Sequence, residues 1–289
     1  MIKLALGTAQ FGLDYGISNT LGKIPLIKAK EIINFASSSG IESLDTAISY
    51  GDSEQSLGNI GIGKFKVITK LPSCEVKKEE IFNWVLSEVN DSLVRLNQKK
   101  IYGLLVHDPK DLISDSGQEI FKAMSYLKKN NKVSKIGISA YAPAQIKEAI
   151  NKYDIDLVQA PLNIFDRRLV ESGCLRYLKN KKIEVHTRSC FLQGLLLTDV
   201  RKIPTQFKNW QVLFNDWHHW LKVSNRTALE TCLSYPLSIE GVDRVVVGID
   251  NLDQLKEIIS RKKHITDIKI PNIYSNDENL IDPTNWSKE

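Results

Sequence analysis

Lys3-Leu4-Ala5-Leu6-Gly7-Thr8-Ala9-Gln10-Phe11-Gly12 begins with a short apolar run and turns at once into small and polar residues. That is how a buried strand ends before a helical connection. An open doubly wound sheet that binds dinucleotides marks this first turn with G-x-G-x-x-G, opening a helix. Gly7 and Gly12 do not have that spacing. Gly58, Gly61 and Gly63 are spaced wrongly too, and they precede a strand-like run.

The same rhythm recurs down the chain. Apolar runs occupy Lys3–Leu6, Ile41–Leu44, Phe65–Thr69, Ile101–Val106, Val133–Ile138, Ile155–Val158, Ile183–Thr187 and Arg244–Val247. Several are rich in Val and Ile with little alternation, as strands covered on both faces of a parallel sheet should be. Helical spacing fills the intervals: Ile81, Trp84, Val85, Val89 and Leu93 lie on one face. Ser38-Ser39-Gly40 closes the first helix, because glycine accepts the left-handed C-terminal position. Eight strand–helix units over 289 residues come to about 36 residues each, which predicts an α/β fold, the (β/α)8 TIM barrel. One such barrel is expected over 1–289, with an insertion around 197–225 and a polar tail at 275–289 whose large apolar anchor is Trp286.

Composition narrows the functional classes. Hydrophobic residues make up 42% and charged residues 25%, which suits a packed soluble domain rather than a disordered chain. No apolar run reaches the ~18–20 residues that a bilayer span requires, and the first ten residues do not read as a signal peptide. The expectation is a cytoplasmic protein with no membrane partner. A net charge of +5 is too mild to argue for nucleic acid. Cys74, Cys174, Cys190 and Cys232 form no C-x-x-C, and Trp217-His218-His219-Trp220 offers no third ligand, so no metal is expected.

In a barrel, chemistry gathers where strands end. Asp45 and Tyr50 follow the second run, Lys70 closes the third and His107 the fourth. A lysine near a tyrosine should lower the phenol's pKa, and a carboxylate should hold the lysine in place. A histidine at the same mouth can orient a carbonyl oxygen. Such a set suits proton delivery to an oxygen that gains charge as hydride reaches carbon, and a hydride needs a nicotinamide cofactor.

Gly40-Ile41-Glu42-Ser43-Leu44-Asp45-Thr46-Ala47, then Tyr50-Gly51, Glu54 and Leu57-Gly58, resembles the signature of the aldo-keto reductases. Lys70 at a strand end and Leu104-Leu105-Val106-His107 match the family's lysine and histidine motifs, and the likeness runs from Gly7-Thr8 to about Glu257. The resemblance implies a carbonyl reductase or alcohol dehydrogenase that takes NADPH or NADH, NADP slightly favoured. Tyr50 would be the general acid–base, Lys70 and Asp45 its tuning pair, and His107 the carbonyl orienter.

It further implies cofactor contacts at Gly7, Thr8 and Asp45. Ser139 and Gln159 would meet the carboxamide, and Arg188, Ser189, Phe191, Gln193 and Gly194 would follow the pyrophosphate. Gly248, Asn251, Gln254 and Glu257 would sit at the adenosine end. Arg188 stands where many members carry a nicotinamide-stacking aromatic. Val247–Asn251 lacks the basic residue that many use for a 2′-phosphate, and Asp250 is acidic. Substrate contacts are expected from Phe11, Tyr50, His107 and Trp217. The substrate would be a small carbonyl or alcohol, and a polar mouth suggests a sugar derivative. Two other readings are a silent nucleotide-binding barrel with a regulatory role and a lyase using Lys70 as a Schiff-base amine.

Overall fold

The computed structural model describes residues 3–17, 19–262 and 269–286. Eight parallel strands form a closed barrel in sequence order: β1 (Leu4–Gly7), β2 (Ser43–Asp45), β3 (Lys66–Leu71), β4 (Ile101–Val106), β5 (Val133–Ser139), β6 (Leu157–Pro161), β7 (Glu184–Arg188) and β8 (Arg244–Val247). β1 closes the ring by pairing Leu4 with Val245 and Leu6 with Val247 of β8. Outside the ring, α1 (Leu26–Ser38), α2 (Ser53–Ile60), α3 (Ile81–Arg95), α4 (Pro109–Ile113) and α5 (Gly117–Lys129) follow the first four strands. Then come α6 (Pro143–Lys152), α7 (Arg168–Glu171) and α8 (Cys174–Asn180). Three short 3-10 turns precede α9 (Gln211–Val223) and α10 (Ala228–Ser238), and α11 (Leu252–Lys262) and α12 (Glu278–Ile281) end the chain's helices.

α1 ends as its sequence requires. Gly40 has φ +81, and the Ile41 amide donates to the Ala36 carbonyl at 3.0 Å, the long-range bond of a Schellman cap. The buried positions of α3, Ile81, Val85, Val89 and Leu93, fall on its anticipated face.

The sheet differs from the sequence reading at its strand ends. β6 begins at Leu157 and runs to Pro161, and β2, β5 and β7 each extend one residue further than their apolar runs. Asp45, Ser139 and Arg188 therefore belong to the strands rather than to the loops. This matters because strand side chains alternate. Ile68, Leu105 and Leu157 cluster together at the barrel centre. Two residues on, the same faces carry Lys70, His107 and Gln159. The polar ends of the strands are thus set above an apolar plug.

The loops that carry the β2 end are braced from two sides. Glu54, on α2, is buried and accepts from Thr69 (2.6 Å), Ser92 (2.7 Å) and Arg95 (2.8 Å), tying α2 to β3 and α3. The signature glutamate is therefore a structural tie. On the other side, Gly12 packs so closely that a methyl in its place would lie 1.8 Å from the Tyr50 carbonyl oxygen. The β1 turn thereby fixes where Tyr50 starts.

The chain after β8 is better anchored than its polarity suggests. Leu280 and Ile281 of α12 are fully buried, and the partly buried Trp286 meets Phe207 edge-on with centroids 4.9 Å apart. Residues 287–289 of the polar tail lie outside the described residues.

Candidate active site

A cleft of about 610 Å³ opens at the C-terminal ends of the strands, within the range of small-molecule and cofactor sites. Tyr50, His107 and Asp45 line one end, with Ser139 and Gln159 beside them. Ser189, Phe191, Gln193 and Gly194, after β7, also line it, as do Gly248, Asp250, Gln254 and Glu257, after β8.

Lys70 and Asp45 form a buried ion pair at 2.7 Å. The same ammonium donates to the Thr46 carbonyl at 2.7 Å. The second Asp45 oxygen accepts from Gln159 Nε2 at 2.6 Å, and Ser139 Oγ reaches Gln159 Oε1 at 3.5 Å. A hydrogen-bonded line thus runs Lys70–Asp45–Gln159–Ser139 across the barrel floor. Each buried charge is met by an opposite charge or a dipole, as burial demands.

Tyr50 stands above this line, half-buried. Lys70 Nζ lies 5.0 Å from the centre of its ring, and the His107 ring meets it edge-on at 5.7 Å. Burial, reinforced by the Asp45 carboxylate, pushes the Tyr50 phenol above its ordinary pKa, against the pull of Arg188. This corrects the expectation of a lysine-depressed phenol. The Lys70 charge is already engaged by Asp45 and Thr46. Tyr50 is accordingly a protonated phenol at neutral pH.

His107 moves the other way. Burial, with Lys70 and Arg188 nearby, lowers its pKa from 6.5 to about 3. Its Nδ1 is 3.2 Å from Ser49 Oγ. The imidazole is neutral throughout the physiological range. Between pH 6.5 and 3 the unfolded chain binds a proton at this residue that the folded protein refuses. The stabilisation is complete above about pH 6.5 and is lost as pH falls towards 3. The urea midpoint of the wild type should therefore drop more steeply over that window than that of His107→Asn.

The structure separates other residues from this group. Phe11 is 1% exposed and belongs to the core, as does the fully buried Trp217. Trp217 Nε1 donates to the Leu196 carbonyl at 3.1 Å, and its ring lies against Trp220. Neither faces the cleft, so neither contacts substrate in this conformation. Tyr15, from the β1 turn, lines it instead. Asn251 does not line the cleft either; its side chain accepts from the Gln254 amide at 2.9 Å at the start of α11. Gly7 and Thr8 do line it. Thr8 Oγ1 also donates to the Asp45 carbonyl at 3.0 Å, which holds β1 to β2 at the mouth.

Sequence reading stops one residue short of Tyr141, which lines the cleft two residues past the end of β5. Its place just after a strand end is the signal that would have found it. Among the described residues, no three His, Cys, Asp or Glu side chains gather as a metal site, and no helix is long and apolar enough to cross a membrane.

The sequence matches the Aldo/keto reductase family over residues 3–271. The chain belongs to the aldo-keto reductases. Aldo-keto reductase YhdN from Bacillus subtilis (strain 168) is 28% identical over 177 residues. That match takes in 57% of this chain and 53% of the relative, so it spans about half the length of the curated relative. Among solved structures, the holo form of aldo-keto reductase AKR11C1 from Bacillus halodurans aligns with TM-score 0.72 at 24% identity, over 90% of this chain and 86% of that one. Glycerol dehydrogenase AKR11B4 from Gluconobacter oxydans gives 0.68 at 22%, over 91% and 90%. At these identities the two structures speak for the barrel of this aldo-keto reductase.

Proposed function

We propose that this aldo-keto reductase is an NAD(P)H-dependent oxidoreductase that reduces a small aldehyde or ketone to the alcohol, or runs the reverse reaction. One observation carries the reading: Tyr50 and His107 line the same open cleft end, directly above a buried Lys70–Asp45 pair. A bound nicotinamide would supply the hydride. Everything else falls to the protein's own groups. In the tautomer whose Nδ1 accepts from Ser49, His107 carries its proton on Nε2 and can hold a carbonyl oxygen. The Tyr50 hydroxyl, protonated at neutral pH, can then deliver its proton to that oxygen as negative charge develops. Lys70, fixed between Asp45 and Thr46, keeps a positive charge beneath the phenol as it gives up its proton.

The donor set fits a dinucleotide. Gln159 has an amide oxygen free enough to accept from a carboxamide, with Ser139 beside it. The Ser189–Gly194 turn carries four left-handed residues, Ser189, Leu192, Gln193 and Gly194, with φ from 49 to 92. The Leu192 and Gly194 amides donate within the turn, to the Ser189 and Phe191 carbonyls, so Ser189 and Gln193, which line the cleft, would meet a phosphate through their side chains. After β8, Asp250 and Glu257 are acidic and line the cleft, with Gln254 Nε2 donating to Asp250 at 3.3 Å. A carboxylate accepts from a ribose 2′-hydroxyl and repels a 2′-phosphate, so these two acids favour NADH, against the slight preference for NADP that the family resemblance implies.

The Schiff-base reading is disfavoured because the Lys70 ammonium is 1% exposed and doubly hydrogen-bonded. The silent-barrel reading leaves a complete acid–base set without work. Titration with NADH and with NADPH, followed by tryptophan fluorescence, tests the proposal. Saturable quenching is expected, with NADH roughly tenfold the tighter, since one unfavourable charge contact is worth about 1–2 kcal/mol. No quenching by either up to millimolar concentration would defeat the redox reading.

A further inference from the structure

Arg188 ends β7 with its side chain in the cleft, beside Tyr50 and His107. Its guanidinium carbon lies 4.1 Å from the centre of the Tyr141 ring. Tyr141 is itself held at both backbone groups: its amide donates to Gln145 Oε1 at 3.0 Å, and its carbonyl accepts from Arg168 at 3.1 Å. Arg168 in turn is locked onto the buried Asp166 carboxylate by paired bonds of 3.0 Å. The platform under Arg188 is therefore rigid.

Very little occupies the edge of that guanidinium. Its hydrogen bonds go to neutral oxygens and are long, 3.3 Å to Ser189 Oγ and 3.4 Å to the Ala140 carbonyl. Among the described residues it makes no ion pair. The carboxylates nearest in the site are already matched, Asp45 with Lys70 and Asp166 with Arg168. The reacting end of the cleft thus carries one positive charge in excess. Its field reaches the reacting groups, since Arg188 pulls down the pKa of both Tyr50 and His107. An arginine presents parallel N–H donors that fit a carboxylate or phosphate two at a time.

We propose that Arg188, stacked on Tyr141, binds an anionic group of the substrate, so that the preferred carbonyl compound is an oxo acid or a phosphorylated or carboxylated sugar derivative. This rests on the carbonyl-reductase reading above. The reaction is the ordinary one: carbonyl carbon gains a hydride from NAD(P)H, carbonyl oxygen gains a proton, and NAD(P)⁺ is released. The anionic group is a handle and takes no part in the bond changes. Arg188 lies at the Tyr50 end rather than near Asp250 and Glu257, so its charge is placed for the substrate and not for a 2′-phosphate.

The test compares 2-, 3- and 4-carboxybenzaldehyde with their methyl esters as substrates of wild type, Arg188→Gln and Arg188→Lys. The readout is the ratio of kcat/KM for acid over ester, which cancels any shared effect on coenzyme binding. For at least one isomer the wild-type ratio should exceed ~10, and Arg188→Gln should cut it ~30-fold or more, mostly through KM, as loss of a desolvated charge partner does. Arg188→Lys should fall between, keeping the charge and losing the fork. A second arm measures benzoate against benzamide binding to the NADH-loaded protein by nicotinamide fluorescence. Benzoate should bind the wild type more tightly, and that advantage should vanish in Arg188→Gln.

A wild-type ratio near one for every isomer overturns the proposal, and so does a ratio that Arg188→Gln leaves unchanged. So does equal binding of benzoate and benzamide. Loss of NADH affinity in Arg188→Gln with the acid preference intact would assign the residue to the coenzyme and overturn it too. Failure of both coenzymes to bind the wild type would instead defeat the reductase reading, and this proposal with it.

Discussion

Tyr50→Phe should lower kcat for carbonyl reduction by ~10²–10⁴, the range for loss of a positioned proton donor, while leaving coenzyme affinity and folding stability close to wild type. The structure separates these effects clearly. The Tyr50 ring packs against His107 and over Lys70, and phenylalanine keeps both contacts. Tyr50 lines the cleft, and among the described residues no side chain is hydrogen-bonded to its hydroxyl, so its removal orphans no buried partner. The pH profile sharpens the test. Because burial and Asp45 raise the Tyr50 pKa, the phenol stays protonated through the neutral range. Because His107 titrates near 3, no imidazole step falls near pH 6.5. Wild-type kcat for reduction should therefore be flat from about pH 5 to pH 9. A clear inflection near pH 6.5 would put the proton on another group. A Tyr50→Phe protein with unchanged turnover would remove Tyr50 from the chemistry and revive the silent-barrel reading.

The barrel was legible because the period of its elements is short and local. Buried parallel strands need apolar runs, and the runs are in the sequence. Asp45, Lys70 and His107 were legible as strand-end residues for the same reason, since the rule that strands deliver function at one end needs no tertiary detail. Direction was not legible where it depends on packing between distant segments. Phe11 falls in a 3-10 turn whose three residues are all buried, and an aromatic after a strand reads the same whichever way it turns. Trp217 did carry a local signal. Phe214, Trp217 and Leu221 make a stripe at helical spacing, and all three are buried in α9. The phenol pKa had the wrong sign for a subtler reason. Burial of the phenol outweighs any nearby cation, Asp45 adds to it, and the Lys70 charge that would oppose it is already engaged by Asp45 on another strand and by a backbone carbonyl. The platform of Arg188 was likewise invisible, because Tyr141 comes from the connection after β5 while Asp166 and Arg168 come from the one after β6.

Lys70→Met should destabilise the fold by about 3–5 kcal/mol, the cost of leaving a buried carboxylate without its cation, and should abolish most activity. Methionine fills nearly the same volume, so the loss is not one of packing. What remains is Asp45, 4% exposed, with a single strong donor in Gln159. For a chain of this size the thermal midpoint should fall by roughly 6–20 °C. The double variant Asp45→Asn/Lys70→Met separates the two roles of the pair. It removes both charges together, so most of the stability should return, and the coupling energy in the cycle should amount to at least ~2 kcal/mol. Activity should not return, because the positive charge beneath Tyr50 is still missing. If the single variant kept its midpoint, Asp45 would have to be solvated by a route the buried geometry does not offer. If the double variant regained full turnover, the pair would be scaffolding alone, and the charge that favours proton transfer from Tyr50 would have to come from Arg188, a cation that pulls the phenol's pKa down.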